Sequence, residues 1–209
     1  ERVYCMAVTD PQSGSNDGQP SSWSASIDKI SSDGHKRLFI VSAGNVQMTD
    51  LQAKNYPDAC LMKSVEDPAQ AWNALTVGAY STDMTIQPNI YTRGYSAVAQ
   101  SGELSPYSST SNTWKSQWPI KPEVVCAGGN VATDGANFID GHDDLSMLTL
   151  HKDINRRLFD IIWATSAATA QCSYIASELW ASYPNMTPET VRGLLVHSAR
   201  WTDAMKNQF

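Results

Sequence analysis

The chain has 209 residues, a length that fits one large domain better than two small ones, and 42% of its residues are hydrophobic. Its formal net charge is −6 and Lys and Arg form no cluster, so a nucleic-acid partner is not expected. No apolar run approaches the roughly 18–20 residues of a transmembrane helix, and no basic amphipathic stretch is present, so no membrane partner is expected either.

The first part of the chain alternates strand and helix patterns. Arg2 to Val8 is rich in Val, Tyr and Met and predicts a strand, which a turn at Asp10-Pro11 follows. Trp23 to Ile30 places apolar residues at helical spacing, and Leu38 to Ser42 is the continuous apolar strand of a parallel sheet covered on both faces. A strand, helix and strand within about 40 residues indicate a right-handed crossover unit.

Further strands are predicted along the middle of the chain. Ala74 to Ala79 and Glu123 to Cys126 are short and apolar, and the polar, irregular stretch between them is long enough to suggest a functional loop. Leu145 to Leu150 and Leu158 to Ile162 predict a hairpin joined by a basic turn.

The last section is predicted to be helical. Ser166 to Tyr183 is dominated by Ala, and small residues nearly all round predict a helix that runs through the core. Thr187 with Pro188 predicts the start of a closing helix that ends near Ala199. The fold predicted from these elements is α/β, a doubly wound and mostly parallel sheet with helices on both faces.

Two strand ends carry candidate chemistry. Ser166 lies where a strand meets the Ala-rich helix, a position that suits a nucleophile but equally suits an ordinary helix cap. Asn45 follows a buried strand, where its amide could donate to an oxyanion or simply form a turn. Local sequence alone leaves both alternatives open, and the structural one is the commoner for each.

Five ordered blocks make the chain resemble the subtilase family of serine peptidases over nearly its whole length. The strand-end block resembles the family's oxyanion-hole segment, and the later Thr-Ser block, with its Ala-rich helix, resembles the nucleophile segment. The blocks are Ala43-Gly44-Asn45, Leu75-Thr-Val-Gly-Ala79, Tyr107-Ser-Ser109, Trp118-Pro-Ile-Lys-Pro-Glu-Val-Val125 and Thr165-Ser166-Ala167-Ala168. The closing helix, Thr187 to Leu195, is similar too.

The resemblance implies roles for these residues. Ser166 is expected to be the nucleophile, with Asn45 and the Ser166 backbone N–H as the oxyanion hole. An extended polypeptide substrate is expected to lie between two segments and to pair with them as an added strand. These segments are Ala7, Val8 and Thr9 on one side and Ser42, Ala43 and Gly44 on the other.

Three positions depart from the family pattern. Ala164 replaces the Gly before Thr-Ser, Ala170 replaces a Pro in the helix, and Cys126-Ala-Gly128 replaces Ala-Pro-Gly. We interpret them as subgroup variation, although the methyl group of Ala164 could shift the turn that carries the nucleophile.

The resemblance implies that the family's Asp and His blocks lie upstream of the strand at Arg2, outside these 209 residues. In subtilisin-type enzymes the triad runs Asp, His, Ser, and none of the four His residues has the family's His-Gly-Thr context. We therefore expect residues 1–209 to be the C-terminal portion of a single subtilase catalytic domain, lacking its N-terminal strands, with Asp and His supplied by the upstream part of the same domain. The 209 residues alone should be inactive, since a Ser without a base is a poor nucleophile.

The expected function is thus serine endopeptidase, with a peptide-binding pseudopeptidase as the alternative. A nucleotide-binding domain would need a Gly-rich loop that the chain lacks.

No cofactor is expected, and the acidic stretch Asp140 to Asp144 lacks calcium-loop spacing. The four Cys are expected to be buried free thiols, with disulfides as the alternative. The similarity is greatest to bacterial cytoplasmic subtilases, some of which are found beside an ATPase, so a cytoplasmic location and an ATPase partner are expectations, with secretion as the alternative.

Overall fold

The computed structural model describes residues 2–11, 17–82, 85–89 and 91–209. Its strands are β1 (Arg2–Met6), β2 (Arg37–Ser42), β3 (Leu75–Tyr80), β4 (Ser96–Ala97), β5 (Val124–Ala127), β6 (Ala132–Thr133), β7 (Phe138–Ile139), β8 (Met147–Leu150) and β9 (Phe159–Ile162). Its α-helices are α1 (Ser22–Ser31), α2 (Met48–Lys54), α3 (Asp58–Met62), α4 (Ala164–Ser182), α5 (Pro188–Ser198) and α6 (Asp203–Gln208), and a 3₁₀ turn spans Asp143–Leu145.

A four-stranded parallel sheet in the order β1-β2-β3-β5 forms the centre of the fold. The alternation of side chains along β2 shows how it is covered. Leu38 and Ile40 face one side and pack with α4 and α5, while Phe39 and Val41 face the other and pack near Ile27 of α1. Helices on both faces of a parallel sheet confirm the predicted α/β class.

The predicted strands and long helices are present with small changes of boundary. The first strand stops at Met6, two residues early, and the Ala-rich helix begins at Ala164, two residues before Ser166. Thr187 caps α5 as predicted, its hydroxyl accepting a hydrogen bond from the Thr190 N–H at 3.3 Å. Helices α2, α3 and α6 were not predicted.

The Ala-rich helix is less enclosed than its composition suggests. Ala168, Cys172 and Ala176 lie against the sheet, at one face of α4. Tyr174 and Ile175 are 65% and 49% exposed, so the expectation of burial nearly all round was wrong for the described residues. Small residues allow the close approach of α4 to the strands, and that requirement applies to one face only.

Two small sheets flank the main one. Strands β4, β6 and β7 form a three-stranded sheet, and β8 pairs with β9 in the predicted antiparallel hairpin. The hairpin does not join the parallel sheet, and Leu148 and Leu150 on it are more than 70% exposed. Among the described residues, no helix is long and apolar enough to cross a bilayer.

Candidate active site

The carboxyl ends of β1 and β2 lie side by side. The two strands are paired in parallel with Met6 opposite Val41, so the segments Ala7–Thr9 and Ser42–Gly44 leave the sheet at the same edge. Ala7 and Val8 are exposed and Thr9 is half-buried, whereas Ser42, Ala43 and Gly44 are buried. Both segments proposed from the resemblance therefore flank one edge of the sheet.

The main chain of the first segment is available for pairing. Within residues 2–11, 17–82, 85–89 and 91–209, no backbone hydrogen bond involves Ala7, Val8 or Thr9, and pairing resumes at Asp10, whose N–H donates to the Asp67 carbonyl at 2.8 Å. The backbone of the second segment is already hydrogen-bonded: the Ser109 hydroxyl donates to the carbonyl oxygens of Ala43 and Gly44 at 2.7 and 3.1 Å. One segment is thus an open edge and the other is fixed.

The side chain of Asn45 is oriented by the residue that precedes Ser166. Its Oδ1 accepts hydrogen bonds from the Thr165 hydroxyl at 2.7 Å and from the Thr165 backbone N–H at 3.1 Å. Two donors on one atom identify it as the oxygen of the amide. The Nδ2 donors, for which no partner is found among the described residues, are therefore turned away from Thr165.

The start of α4 is a strained turn. Ala164 has φ +65°, a left-handed conformation that costs a residue with a Cβ about 1–2 kcal/mol. Its N–H donates to the Gly128 carbonyl at 2.7 Å, and Ala164 is buried in a hydrophobic cluster that also contains Val46 and Val131. The Gly-to-Ala departure seen in the sequence is therefore accommodated at a position whose backbone favours glycine.

Ser166 is half-buried in the first turn of α4. Neither its hydroxyl nor its backbone N–H has a hydrogen-bond partner among the described residues, so both groups are unused by the fold. The free N–H groups and positive end of the helix dipole at this turn favour a developing negative charge. Asn45 and Ser166 are brought together, since Asn45 binds the residue next to Ser166.

Two of the four histidines form ring hydrogen bonds to residues other than Ser166. His151 is buried with its Nδ1 2.8 Å from the Asp153 carbonyl oxygen, and His142 Nδ1 accepts a hydrogen bond from the Asp144 N–H at 3.2 Å. Neither ring, and no carboxylate, is hydrogen-bonded to Ser166 in the part of the chain that the structure describes. That part also contains no group of three or more His, Cys, Asp or Glu able to hold a metal ion.

The four cysteines are free, as predicted. Cys60 and Cys172 are buried, and burial raises the pKa of the Cys60 thiol to about 12. Cys5 is exposed, contrary to its expected place in the core, and its strand β1 forms the edge of the parallel sheet.

Three contributors to this site were not recognised from the sequence. Thr165 orients Asn45, Ser109 holds the carbonyl groups of Ala43 and Gly44, and Glu66 packs against Gly44. Thr165 and Ser109 lie in the blocks that carried the family resemblance, which was the available signal. Nothing in the sequence around Glu66 indicated that its loop crosses the strand ends.

Comparison with solved structures places the fold among subtilisin-like enzymes. The chain is similar to Sphericase, with 17% identity and a TM-score of 0.53 over 93% of this chain and 47% of that one. It is also similar to a cold-adapted subtilisin-like serine proteinase, with 17% identity and a TM-score of 0.52 over 98% of this chain and 50% of that one.

Sequence comparisons agree with the fold. A curated relative, the uncharacterized protein y4bN of Sinorhizobium fredii, is 26% identical over 213 residues, which cover 95% of this chain and 48% of that protein. The chain therefore spans about half the length of the relatives that it matches. The sequence profile of the subtilase family matches residues 1–209, and the chain belongs to this family of serine peptidases.

Proposed function

We propose that the complete protein is a serine endopeptidase with Ser166 as its nucleophile, and that residues 1–209 form the C-terminal portion of its catalytic domain. The observation that carries the proposal is the Asn45 amide: its oxygen is fixed by Thr165, so its N–H donors are oriented before substrate arrives. A donor that needs no reorganisation is what stabilises an oxyanion.

The proposed reaction uses this geometry in two steps. The Ser166 hydroxyl attacks the carbonyl carbon of a peptide bond, its proton passes to a His of the upstream part, and the carbonyl oxygen becomes an oxyanion. The Asn45 Nδ2–H and the Ser166 N–H donate to that oxyanion. The tetrahedral intermediate then breaks its C–N bond, the amine leaves with the proton, and water hydrolyses the acyl-enzyme ester to regenerate Ser166.

The proposed substrate is an extended polypeptide. The unpaired main chain of Ala7–Thr9 supports this choice, because an open strand edge binds another strand through backbone hydrogen bonds. Backbone pairing makes few demands on side chains. Sequence preference would then come from the pocket between this segment and Ser42–Gly44.

A peptide-binding pseudopeptidase is the second candidate. It is favoured by the absence of any hydrogen bond from His, Asp or Glu to Ser166 among the described residues. A protein of this kind would bind extended chains at the same edge and release them unchanged. The upstream Asp and His decide between the two candidates.

A fluorophosphonate probe tests the proposal directly. The full-length protein should be labelled at Ser166, and the Ser166→Ala variant should not be labelled. The 209-residue chain alone should react only slowly, because it lacks the base. Full-length protein that binds unfolded protein but is never labelled would support the pseudopeptidase.

The cytoplasmic location and the ATPase partner remain predictions. Fractionation of cells that produce the full-length protein tests the first, and co-purification of an ATPase with it tests the second.

A further inference from the structure

Glu66 is a buried carboxylate at the edge of the sheet where the substrate is proposed to bind. Its side chain is 7% exposed, and its N–H donates to the Ala43 carbonyl at 2.9 Å. Its Oε2 accepts a hydrogen bond from the Thr9 hydroxyl at 2.6 Å, whereas its Oε1 is buried without a hydrogen-bond partner among the described residues. A buried carboxylate oxygen that receives no hydrogen bond is uncommon in folded proteins, and it calls for an explanation.

The carboxylate lies between the two proposed substrate segments. Thr9 belongs to the first segment, and Gly44 belongs to the second. A Cβ on Gly44 would come within 2.5 Å of both Cγ and Oε2 of Glu66, so the carboxylate occupies the space directly over the Gly44 backbone. Gly44 also has φ +98°, and glycine is required there on both grounds.

Lys63 balances the charge of Glu66 only in part. The Lys63 Nζ is 3.6 Å from Glu66 Oε1, too far for a hydrogen bond, and 3.8 Å from the Asp50 carboxylate, so it is shared between two acids. The Lys63 side chain is also partly exposed, which lets water screen its charge. Glu66 therefore has a charge that Lys63 offsets only in part and a carboxylate oxygen without a hydrogen-bond partner among the described residues, which together suit a cationic group.

The position of Gly44 relates Glu66 to the scissile bond. Gly44 directly precedes Asn45, whose amide is proposed to bind the oxyanion formed from the scissile carbonyl. In a bound extended substrate, the residue that supplies this carbonyl would therefore be the one whose side chain lies nearest to Gly44. Its side chain would enter between the two segments and meet Glu66.

We propose that Glu66 selects substrates with Lys or Arg immediately before the scissile bond, an inference that rests on the proposed peptidase function. The long apolar stem of Lys or Arg would lie along the pocket walls, and its cationic head would bind Oε1. An apolar side chain would instead leave Oε1 without a hydrogen-bond donor and would exclude water from it, which opposes the binding of that side chain.

Peptide hydrolysis by the full-length protein tests this specificity. Matched internally quenched peptides that differ only in Lys, Arg, Phe or Leu before the scissile bond should show kcat/KM at least about tenfold higher for Lys and Arg. Glu66→Gln keeps the size of the side chain and an acceptor for Thr9, but it removes the charge. It should abolish the preference by lowering the values for Lys and Arg and not those for Phe and Leu.

Two further variants separate specificity from structure. Lys63→Met removes the competing cation and should increase the preference for Lys and Arg, whereas Glu189→Gln, which changes an exposed acid on α5, should leave it unchanged. A purely structural role for Glu66 predicts equal losses for all four peptides in Glu66→Gln. That result, or a wild-type protein without basic preference, would overturn the proposal.

The test remains decisive if the peptidase function itself fails. Fluorophosphonate labelling of Ser166 reports on that function independently of the residue before the scissile bond. If labelling and hydrolysis are both absent, the same peptides can be titrated against the Ser166→Ala variant of the full-length protein. Tighter binding of the Lys and Arg peptides that Glu66→Gln removes would support the role of Glu66, and equal affinities would overturn it.

Discussion

The hairpin of β8 and β9 and the start of α4 are neighbours in the chain, separated by Trp163 alone, yet they are built in opposite ways. On the hairpin, Leu148 and Leu150 are 71% and 74% exposed. At the start of α4, Ala164 and Thr165 are buried, and Thr165 is hydrogen-bonded to a residue far away in the sequence. Apolar composition alone therefore does not indicate which segment is fixed; the polar contacts at the strand ends do.

The largest effect should come from the fixed region. Asn45→Ala in the full-length protein should lower kcat by about 10²–10³ with little change in KM, because the amide is proposed to bind the oxyanion and not the ground-state carbonyl. The magnitude is that observed when one such donor is removed from subtilisin. Steady-state kinetics on a peptide substrate measures it.

Thr165→Ser is the matched control for Asn45→Ala. It keeps the hydroxyl that donates to Asn45 Oδ1 and should retain a kcat close to that of the wild type. Wild-type kcat in Asn45→Ala would show that Ala43-Gly44-Asn45 is not the oxyanion segment, whatever the role of Ser166.

The next effect concerns the strained turn. Ala164→Val places a β-branched side chain at φ +65° in a buried site and should lower the free energy of unfolding by about 2–3 kcal/mol. Ala164→Gly should change it little, since relief of the strain is offset by the lost methyl burial and the greater freedom of the unfolded chain. Denaturant titration of the full-length variants compares the two. Equal stabilities for Val and Gly would contradict the left-handed conformation.

A smaller effect on the free energy of unfolding is expected at Gly128, which packs against the turn at Ala164. A Cβ on Gly128 would lie 2.4 Å from the Ala79 Cβ and 2.9 Å from the Ala164 carbonyl oxygen. Gly128→Ala should therefore cost about 1–3 kcal/mol of stability and also displace the turn that carries Ser166. Gly34→Ala is not a suitable control, because Gly34 has a positive φ. Gly193→Ala in α5 is suitable, because outside the nearby backbone of its own helix no described atom lies within 4 Å of the added Cβ. A Gly128→Ala variant as stable as Gly193→Ala would show that the turn can move.

The smallest effect is expected on the hairpin. Leu150→Ser should change the unfolding free energy by no more than about 0.5 kcal/mol, because the side chain is already exposed. The same denaturant titration measures it, with the buried Leu145→Ala as the contrasting variant. A loss of 2 kcal/mol or more for Leu150→Ser, of order a buried leucine, would show that another part of the full-length protein covers the hairpin, and the contrast between the regions would disappear.

The periodic elements were predictable from the sequence. Continuous apolar strands such as Leu38–Ser42 and the Ala-rich helix have patterns that packing against a sheet requires. Helices α2 and α3 have only 7 and 5 residues, too few turns for a helical period to be visible, and their formation depends on tertiary contacts.

The candidate site was predictable only in part. Ser166 and Asn45 stand in ordered blocks that resemble a family, so their proximity could be anticipated. The place of Glu66 depends on how a loop crosses the ends of β1 and β2, and no local pattern contains that information. The exposure of Tyr174 likewise depends on which side of α4 meets the sheet, which composition does not reveal.

The hydrogen bonds between Asn45 and Thr165 join residues 120 positions apart in the chain, and this separation has a consequence for folding. Contacts between distant residues must overcome a large loss of chain entropy before they stabilise the protein, so they form late. The amide at Asn45 is therefore aligned only after β2 and α4 have assembled on the same sheet. A nascent or partly unfolded chain would therefore contain Ser166 before the Asn45 amide has been aligned beside it.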